Sequence, residues 1–213
     1  MPRVRSILLI LLWVTAVSGI QAAEKTAPPG KLTEWSIVYH TVFLKTAGDN
    51  SYMIHSPGFN LSSRNDWRLP LISSTTIFVP SGIMNDGVWS GGLSEYYTAR
   101  IGIEQIFAFE LSGKIGKIWR WRGAPGWSVN GIAMPGEVGY YPFQSLTSGP
   151  ALLLGFDRDW EQGLTVRISA AASYQFIDFI HSANKLKYGF SGYLGIGIGF
   201  RKGAFMGRYS DET

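Results

Sequence analysis

The sequence predicts an all-β protein, an antiparallel up-and-down transmembrane β-barrel of about eight strands, within a range of about eight to ten. Three observations predict this class: the composition, an apolar segment at the N-terminus, and long stretches in which apolar and polar residues alternate. Glycine makes up 26 of 213 residues, aromatic residues 14% and charged residues only 16%. This composition suits strands and turns, and excludes disorder and long coiled coils. There is no cysteine, which excludes a disulfide scaffold and a cysteine-ligated metal.

Residues 1–23 are predicted to be a cleaved signal peptide. Arg3 and Arg5 are followed by an apolar segment of eleven residues, 7–17, and by Ala22-Ala23 at the expected cleavage point. A membrane-spanning helix needs about 20 apolar residues, so this segment is too short to be an anchor. Loss of the two arginines lowers the formal net charge from +4 to +2. Export and such a small charge both argue against a nucleic-acid partner.

The rest of the chain shows no internal repeat and no shift in composition. We therefore predict an N-terminal segment at 24–34, one barrel at 35–200 and a polar C-terminal tail at 201–213. The longest uncharged stretch after the signal peptide, 138–156, contains two prolines and a polar centre. These features predict two strands and a turn there rather than a helix.

Strict alternation is clearest over 163–177. Its even positions are apolar from Leu164 to Phe176, and its odd positions are polar or small from Thr165 to Gln175. Strands of globular proteins are typically 5–6 residues long, whereas a tilted strand that spans a bilayer needs about 9–11. The stretch 190–200 repeats the pattern with glycines on its second face, which suits the crowded interior of a small barrel.

Further strands and turns are predicted with less regular alternation. The stretch 97–111 is predicted to be a strand that ends at a hairpin tip, Ser112-Gly113, and returns through 114–121. Other predicted strands are 35–45, 68–79, 127–133, 137–143 and 151–157. Turns are predicted at 48–50, 85–87, 123–126, 135–136, 148–150 and 181–187.

Many aromatic residues lie near these predicted strand ends. Outer-membrane barrels carry aromatic girdles at both membrane interfaces, so we predict such girdles, with a β-sandwich core as the alternative. The residues concerned are Trp119, Trp121, Trp127, Tyr140, Tyr141, Phe143, Phe156, Trp160 and Phe176.

An exported, cysteine-free chain of 213 − 23 = 190 residues, rich in glycine and aromatics and built of long amphipathic strands, resembles the small bacterial outer-membrane β-barrels. The resemblance implies location in the cell outer membrane, and outer-membrane lipid and the barrel-assembly machinery as partners. Such barrels usually end on an aromatic residue of the last strand. Here that residue would be Phe200 or Phe205, and a tail to Thr213 follows. The oligomeric state stays open.

No catalytic, metal-binding or cofactor-binding motif is found, and we predict no cofactor and no metal. Barrels that modify lipid A use His and Ser, which makes His181 and Ser182 candidates. They are adjacent, however, and neighbouring strand positions point to opposite faces. His40 is a further candidate if it faces the lumen. The sequence therefore favours a non-enzymatic barrel, with a lipid A acyl hydrolase or transferase as an alternative.

Four charged residues, Arg100, Glu104, Glu110 and Arg167, fall on the polar faces of their strands. We predict that they face the lumen and pair there, with a porin-like lining as the alternative. An eight-stranded barrel has an interior about filled by side chains, which favours a plugged lumen. The predicted role is structural, surface-interacting, or binding and passing a small solute. A soluble lipocalin-like barrel around an apolar ligand is the other alternative, and would turn its apolar faces inward.

Overall fold

The structure, a computed structural model, describes residues 32–48, 50–65, 70–92, 99–115, 119–134, 143–159, 164–180 and 186–201. The predicted signal peptide, the tail beyond 201 and five of the residues singled out above lie outside these ranges: Tyr140, Tyr141, Trp160, His181 and Ser182. Within the described ranges, no helix has the length and apolarity needed to cross a membrane.

The described residues form twelve strands. These are β1 (Leu32–Thr46), β2 (Ser51–Asn65), β3 (Leu71–Phe78), β4 (Gly82–Asn85), β5 (Val88–Gly92), β6 (Ile101–Phe109), β7 (Leu111–Ile115), β8 (Trp119–Met134), β9 (Phe143–Asp159), β10 (Leu164–Gln175), β11 (Ile177–Asp178) and β12 (Leu186–Arg201).

The sheet closes into a barrel because β1 pairs antiparallel with β2 on one side and with β12 on the other. Around the barrel the order is β1-β2-β3-β6-β8-β9-β10-β12. Three short strands extend members of this ring: β4 follows β3 along β2, β7 follows β6 along β8, and β11 follows β10 along β9. The prediction of a closed antiparallel barrel of eight strands is confirmed.

The alternation along each strand separates the wall from the lumen. In β10, Ile168 is 52% exposed on the outer wall, whereas its neighbours Arg167 and Ser169 are buried inside. In β12, Leu194 is 63% exposed, whereas Tyr193 and Gly195 are buried. The apolar faces thus point outward, which is the reverse of what a lipocalin-like barrel requires.

Two predicted turns were wrong, because 123–126 lies inside β8 and 148–150 lies inside β9. Each proline lies opposite a break in a neighbouring strand of the sheet. Pro125 lies opposite the junction of β6 and β7, and Pro150 lies opposite the junction of β10 and β11. Pro57 of β2 lies in the same way opposite the junction of β3 and β4. A proline at such a break removes no hydrogen bond from the ladder, so the strand continues through it.

The predicted hairpin tip at Ser112-Gly113 was also wrong, because both residues lie within β7. Gly113 pairs with Trp121 of β8, and a Cβ at Gly113 would overlap the indole ring of Trp121. The glycine therefore makes room for an aromatic neighbour, and β7 continues to Ile115 as the antiparallel partner of β8.

The β4–β5 hairpin follows the rule for two-residue turns. Asp86 and Gly87 connect the strands with φ angles of 46° and 80°. Positive φ at both positions is the type I′ geometry, which Asp-Gly adopts readily and which matches the twist of the flanking strands.

Candidate functional site in the filled lumen

Inward-facing side chains fill the lumen in successive layers. We call the end that holds Leu32 and Arg201 the lower end, because both terminal strands meet there. From that end upward, charged residues are followed by an apolar layer, a polar layer and a second apolar layer. The lower apolar layer comprises Val38, Ile72, Ile106, Ala108, Ala124, Ala151, Leu153, Ala171 and Tyr193. The upper apolar layer comprises Val42, Leu44, Ile54, Phe78, Ile132 and Met134.

The lowest layer, which we call the ionic layer, holds three arginines and three carboxylates. One carboxylate oxygen of Asp157 accepts a hydrogen bond from Arg167 Nε at 2.8 Å, and the other forms an ion pair with Arg122 Nε at 2.5 Å. Glu34 pairs with both of these arginines. The remaining members are Arg64 and Glu110, which lie 2.9 Å apart. The formal charges balance. Removal of one member leaves an uncompensated buried charge. Each such removal is therefore expected to lower the free energy of unfolding by about 3–5 kcal/mol.

The polar layer is centred on Glu104, which is 1% exposed. His40 Nε2 lies 2.9 Å from one carboxylate oxygen of Glu104. The other carboxylate oxygen accepts hydroxyl hydrogen bonds from Ser128 at 3.1 Å, Ser173 at 3.0 Å and Ser191 at 2.5 Å. These contacts replace the hydrogen bonds to water that the Glu104 carboxylate loses on burial.

This arrangement stabilises the buried Glu104 carboxylate and does not prepare any of the three serines to act as a nucleophile. The three hydroxyls donate to Glu104 rather than to His40, and a serine nucleophile needs the base beside its own hydroxyl. The His40 ring stacks on Phe78 with a centroid distance of 4.0 Å, so the upper apolar layer covers it. Together, the layers above and below enclose the polar layer.

The structure places the sequence-predicted residues as follows. Glu104 and His40 meet in the polar layer, while Glu110 and Arg167 belong to the ionic layer. Arg100 lies just before β6, apart from both layers, and donates to the carbonyl oxygen of Pro80 at 3.0 Å.

Four members of the ionic layer were missed from the sequence: Glu34, Arg64, Arg122 and Asp157. Glu34 fell in the predicted N-terminal segment, although β1 already begins at Leu32. Arg122 fell between the predicted strand at 114–121 and the predicted turn at 123–126. If β8 and β9 had been predicted as continuous strands, the alternation would have placed Arg122 and Asp157 on their inward faces. The length of these strands was therefore the signal that could have identified the two residues.

A small cavity of about 30 Å³ separates the ionic layer from Tyr193. Its polar lining comes from Arg122, Arg167, Ser169 and Tyr193, among others. A space of this size holds water and is too small for a solute. Within the described part of the chain, no three His, Asp or Glu side chains are grouped so that they could hold a metal ion.

Aromatic side chains mark both ends of the outer wall. Toward the upper end, ring contacts with centroid distances between 5.2 and 6.3 Å run in an unbroken series through Trp127, Phe176, Tyr174, Phe190, Tyr188 and Phe43. Toward the lower end, two further pairs lie at 5.5 and 4.9 Å, namely Trp35 with Phe59 and Trp119 with Phe156. Exposed aliphatic residues lie between them, among them Ile168, Leu194 and Ile196.

No family model and no curated protein matches the chain. Solved structures that are similar to it include the following two. Neisserial surface protein A (NspA) has a TM-score of 0.54 and 13% identity, covering 81% of this chain and 97% of that one. Ail, the attachment invasion locus protein of Yersinia pestis, has a TM-score of 0.48 and 15% identity, covering 81% of this chain and 99% of that one. The likeness to NspA is one of fold: this chain has the same closed eight-stranded antiparallel barrel.

Proposed function

We propose that the chain is an integral outer-membrane β-barrel with a sealed lumen, which acts through its surface as a structural or surface-interacting protein. One observation carries this proposal: the barrel turns an apolar wall outward between aromatic side chains at both ends, while its ionic and polar layers are enclosed in the interior. A bilayer requires this arrangement, because lipid offers no hydrogen bonds and only a closed sheet leaves no edge unpaired.

The exposed apolar wall supports a membrane location. Ile37 is 77% exposed and Ile196 is 66% exposed, and both lie on the outer face shared by β1 and β12. Soluble monomers rarely expose contiguous apolar patches of more than a few hundred Å². A wall of this kind around the whole barrel is expected to face acyl chains.

The lengths of the connections support an orientation. At the lower end they are 66–70, 116–118 and 160–163. At the upper end they are 47–50, 93–100, 135–142 and 179–185, and the β4–β5 hairpin projects there as well. Outer-membrane barrels have short periplasmic turns and longer extracellular loops. We therefore assign the upper end to the cell exterior, where its longer connections would meet partners.

The filled lumen argues against passage of solutes. The ionic layer and the upper apolar layer each cross the interior, and the cavity between the ionic layer and Tyr193 is of water size. Aqueous channels occur in barrels of about 16 strands, which are much wider.

Cysteine labelling tests both location and orientation, because the natural chain has no cysteine. Val88, 68% exposed beside the β4–β5 turn, is changed to Cys at the upper end, and Ile115, 50% exposed at the end of β7, is changed to Cys at the lower end. A membrane-impermeant maleimide should label Val88→Cys on intact cells and Ile115→Cys only after lysis. Labelling of the opposite pattern would overturn the orientation, and no labelling of either on intact cells would count against surface exposure.

A further inference from the structure

The small cavity between the ionic layer and Tyr193 combines charged, hydroxyl-bearing and apolar walls. Its volume is about 30 Å³. Arg122 and Arg167 line it, and both of them bind carboxylates of the ionic layer. The hydroxyl-bearing residues of the lining are Ser62, Ser74, Ser169 and Tyr193. The cavity thus lies where the ionic layer meets the lower apolar layer, to which Tyr193 belongs.

One of these hydroxyl groups is buried without a hydrogen-bond partner. Ser169 is 7% exposed, and its Oγ atom makes no hydrogen bond to any of the described residues. The other hydroxyl groups of the lining do make such bonds. Ser62 Oγ donates to Glu34 at 3.1 Å, and the hydroxyl groups of Ser74 and Tyr193 lie 3.4 Å apart. Because buried polar groups that find no partner in the protein are satisfied by ordered molecules, Ser169 indicates a ligand in the cavity.

Size and charge decide the class of this ligand. A bound water molecule needs about 10–15 Å³ of such space, so the cavity has room for about two water molecules and for no organic solute. The adjacent ionic layer already balances three arginines with three carboxylates. An additional ion beside this layer would be buried without a counter-charge, which is unfavourable. The ligand is therefore small and neutral.

We propose that the cavity is a binding site for ordered water, with the Ser169 hydroxyl group as its anchor. A water molecule both donates and accepts hydrogen bonds, so it satisfies Ser169 and bridges it to a second polar group of the lining. The bound water extends the polar network of the ionic layer toward the Ser74–Tyr193 pair. This site goes beyond the proposed function and does not depend on it, because the cavity lies inside the barrel in any medium.

Crystal structures of the purified full-length barrel test this site, at a resolution that shows ordered water. In the wild type we expect a density peak in the cavity at about 2.5–3.0 Å from Ser169 Oγ, the distance of an O–H···O hydrogen bond. Ser169→Thr and Ser169→Val form a matched pair, because threonine and valine have nearly the same shape and only threonine carries a hydroxyl group. We expect Ser169→Thr to retain the peak and Ser169→Val to lose it. Ser145→Ala removes a buried hydroxyl group outside the cavity lining and should leave the peak unchanged.

Crystals soaked in sodium bromide supply a separate arm, because anomalous scattering locates bromide. A bromide peak in the cavity would show an anion site and overturn the proposal. A wild-type cavity without density would overturn it as well, and so would an unchanged peak in Ser169→Val, since Ser169 would then not anchor the water. If a variant does not fold, the density and the bromide arm of the wild type still decide between these outcomes.

Discussion

At the scale of single residues, Glu104 is the most consequential side chain of the lumen. Glu104→Ala would leave His40, Ser128, Ser173 and Ser191 without their shared acceptor. We expect the free energy of unfolding, measured by urea titration in lipid vesicles, to fall by about 3–5 kcal/mol. Glu104→Gln keeps the shape and one carbonyl acceptor, so its loss should be smaller. Equal stability of Glu104→Ala and the wild type would contradict the proposed importance of this cluster.

Asp86, on the turn outside the membrane-spanning strands, predicts a pH effect. Its carboxylate accepts hydrogen bonds from the backbone N–H of Ser51 at 2.7 Å and from the Ser51 hydroxyl at 2.9 Å, which lower the pKa of Asp86 below its usual 3.8. Because the folded-state pKa is the lower one, this contact stabilises the turn above the unfolded pKa and is lost as the pH falls through the folded value. An NMR titration of the Asp86 carboxyl carbon should give a midpoint below 3.8 in the wild type and nearer to 3.8 in Ser51→Gly.

Residue type and alternation predict a face for each charged side chain, but not its partner. Glu104 and His40 are 64 positions apart in the chain, and Arg122 and Glu34 are 88 apart. Which residues meet across the lumen depends on the register of all the strands between them. The sequence contains no short-range signal for that register, so the ionic layer could not be assembled in advance.

At the scale of strands, β9 offers a matched pair of glycines. A Cβ at Gly149 would overlap the carbonyl oxygen of Tyr174, whereas a Cβ at Gly155 would lie 3.7 Å from its nearest neighbours, an ordinary contact. We expect Gly149→Ala to lower the free energy of unfolding by about 1–3 kcal/mol through overpacking, and Gly155→Ala to change it little. Equal effects of the two substitutions in vesicle unfolding experiments would contradict the close approach of β9 and β10 at this point.

The outward face of β10 and β12 predicts a second effect on stability. Ile168→Arg and Leu194→Arg should each cost about 2–4 kcal/mol if these residues sit at the bilayer midplane. Ile168→Leu is the control and should cost little. Thr165→Arg and Ser169→Arg change buried lumen positions and should act through overpacking instead, with a similar cost in detergent and in vesicles. If all four arginine variants lost the same free energy in both media, the assignment of faces would be wrong.

Strand type was predictable, whereas some strand boundaries were not. Long alternation indicated membrane-length strands, and the closed eight-stranded barrel is confirmed. The errors arose at Pro125 and Pro150, where the local sequence predicts a turn but the strand continues. Each proline faces a break in the neighbouring strand, and this feature depends on the partner strand rather than on the proline's own sequence.

At the scale of the whole molecule, the layered interior predicts a barrel that does not conduct ions. Purified protein in a planar bilayer should give no steady conductance, with a wide porin of about 16 strands as the positive control. The physical reason is that any path must cross the ionic layer and the upper apolar layer. A steady, ohmic conductance in proportion to the protein added would contradict the sealed lumen.

The central claim is that this chain forms a closed barrel in the outer membrane. Its most direct test is to express the full chain, separate the membranes, and compare boiled and unboiled outer-membrane samples on a gel. We expect recovery in the outer-membrane fraction, with a band that migrates differently when the sample is not boiled. Recovery in the soluble periplasmic fraction, with no shift on boiling, would contradict the claim.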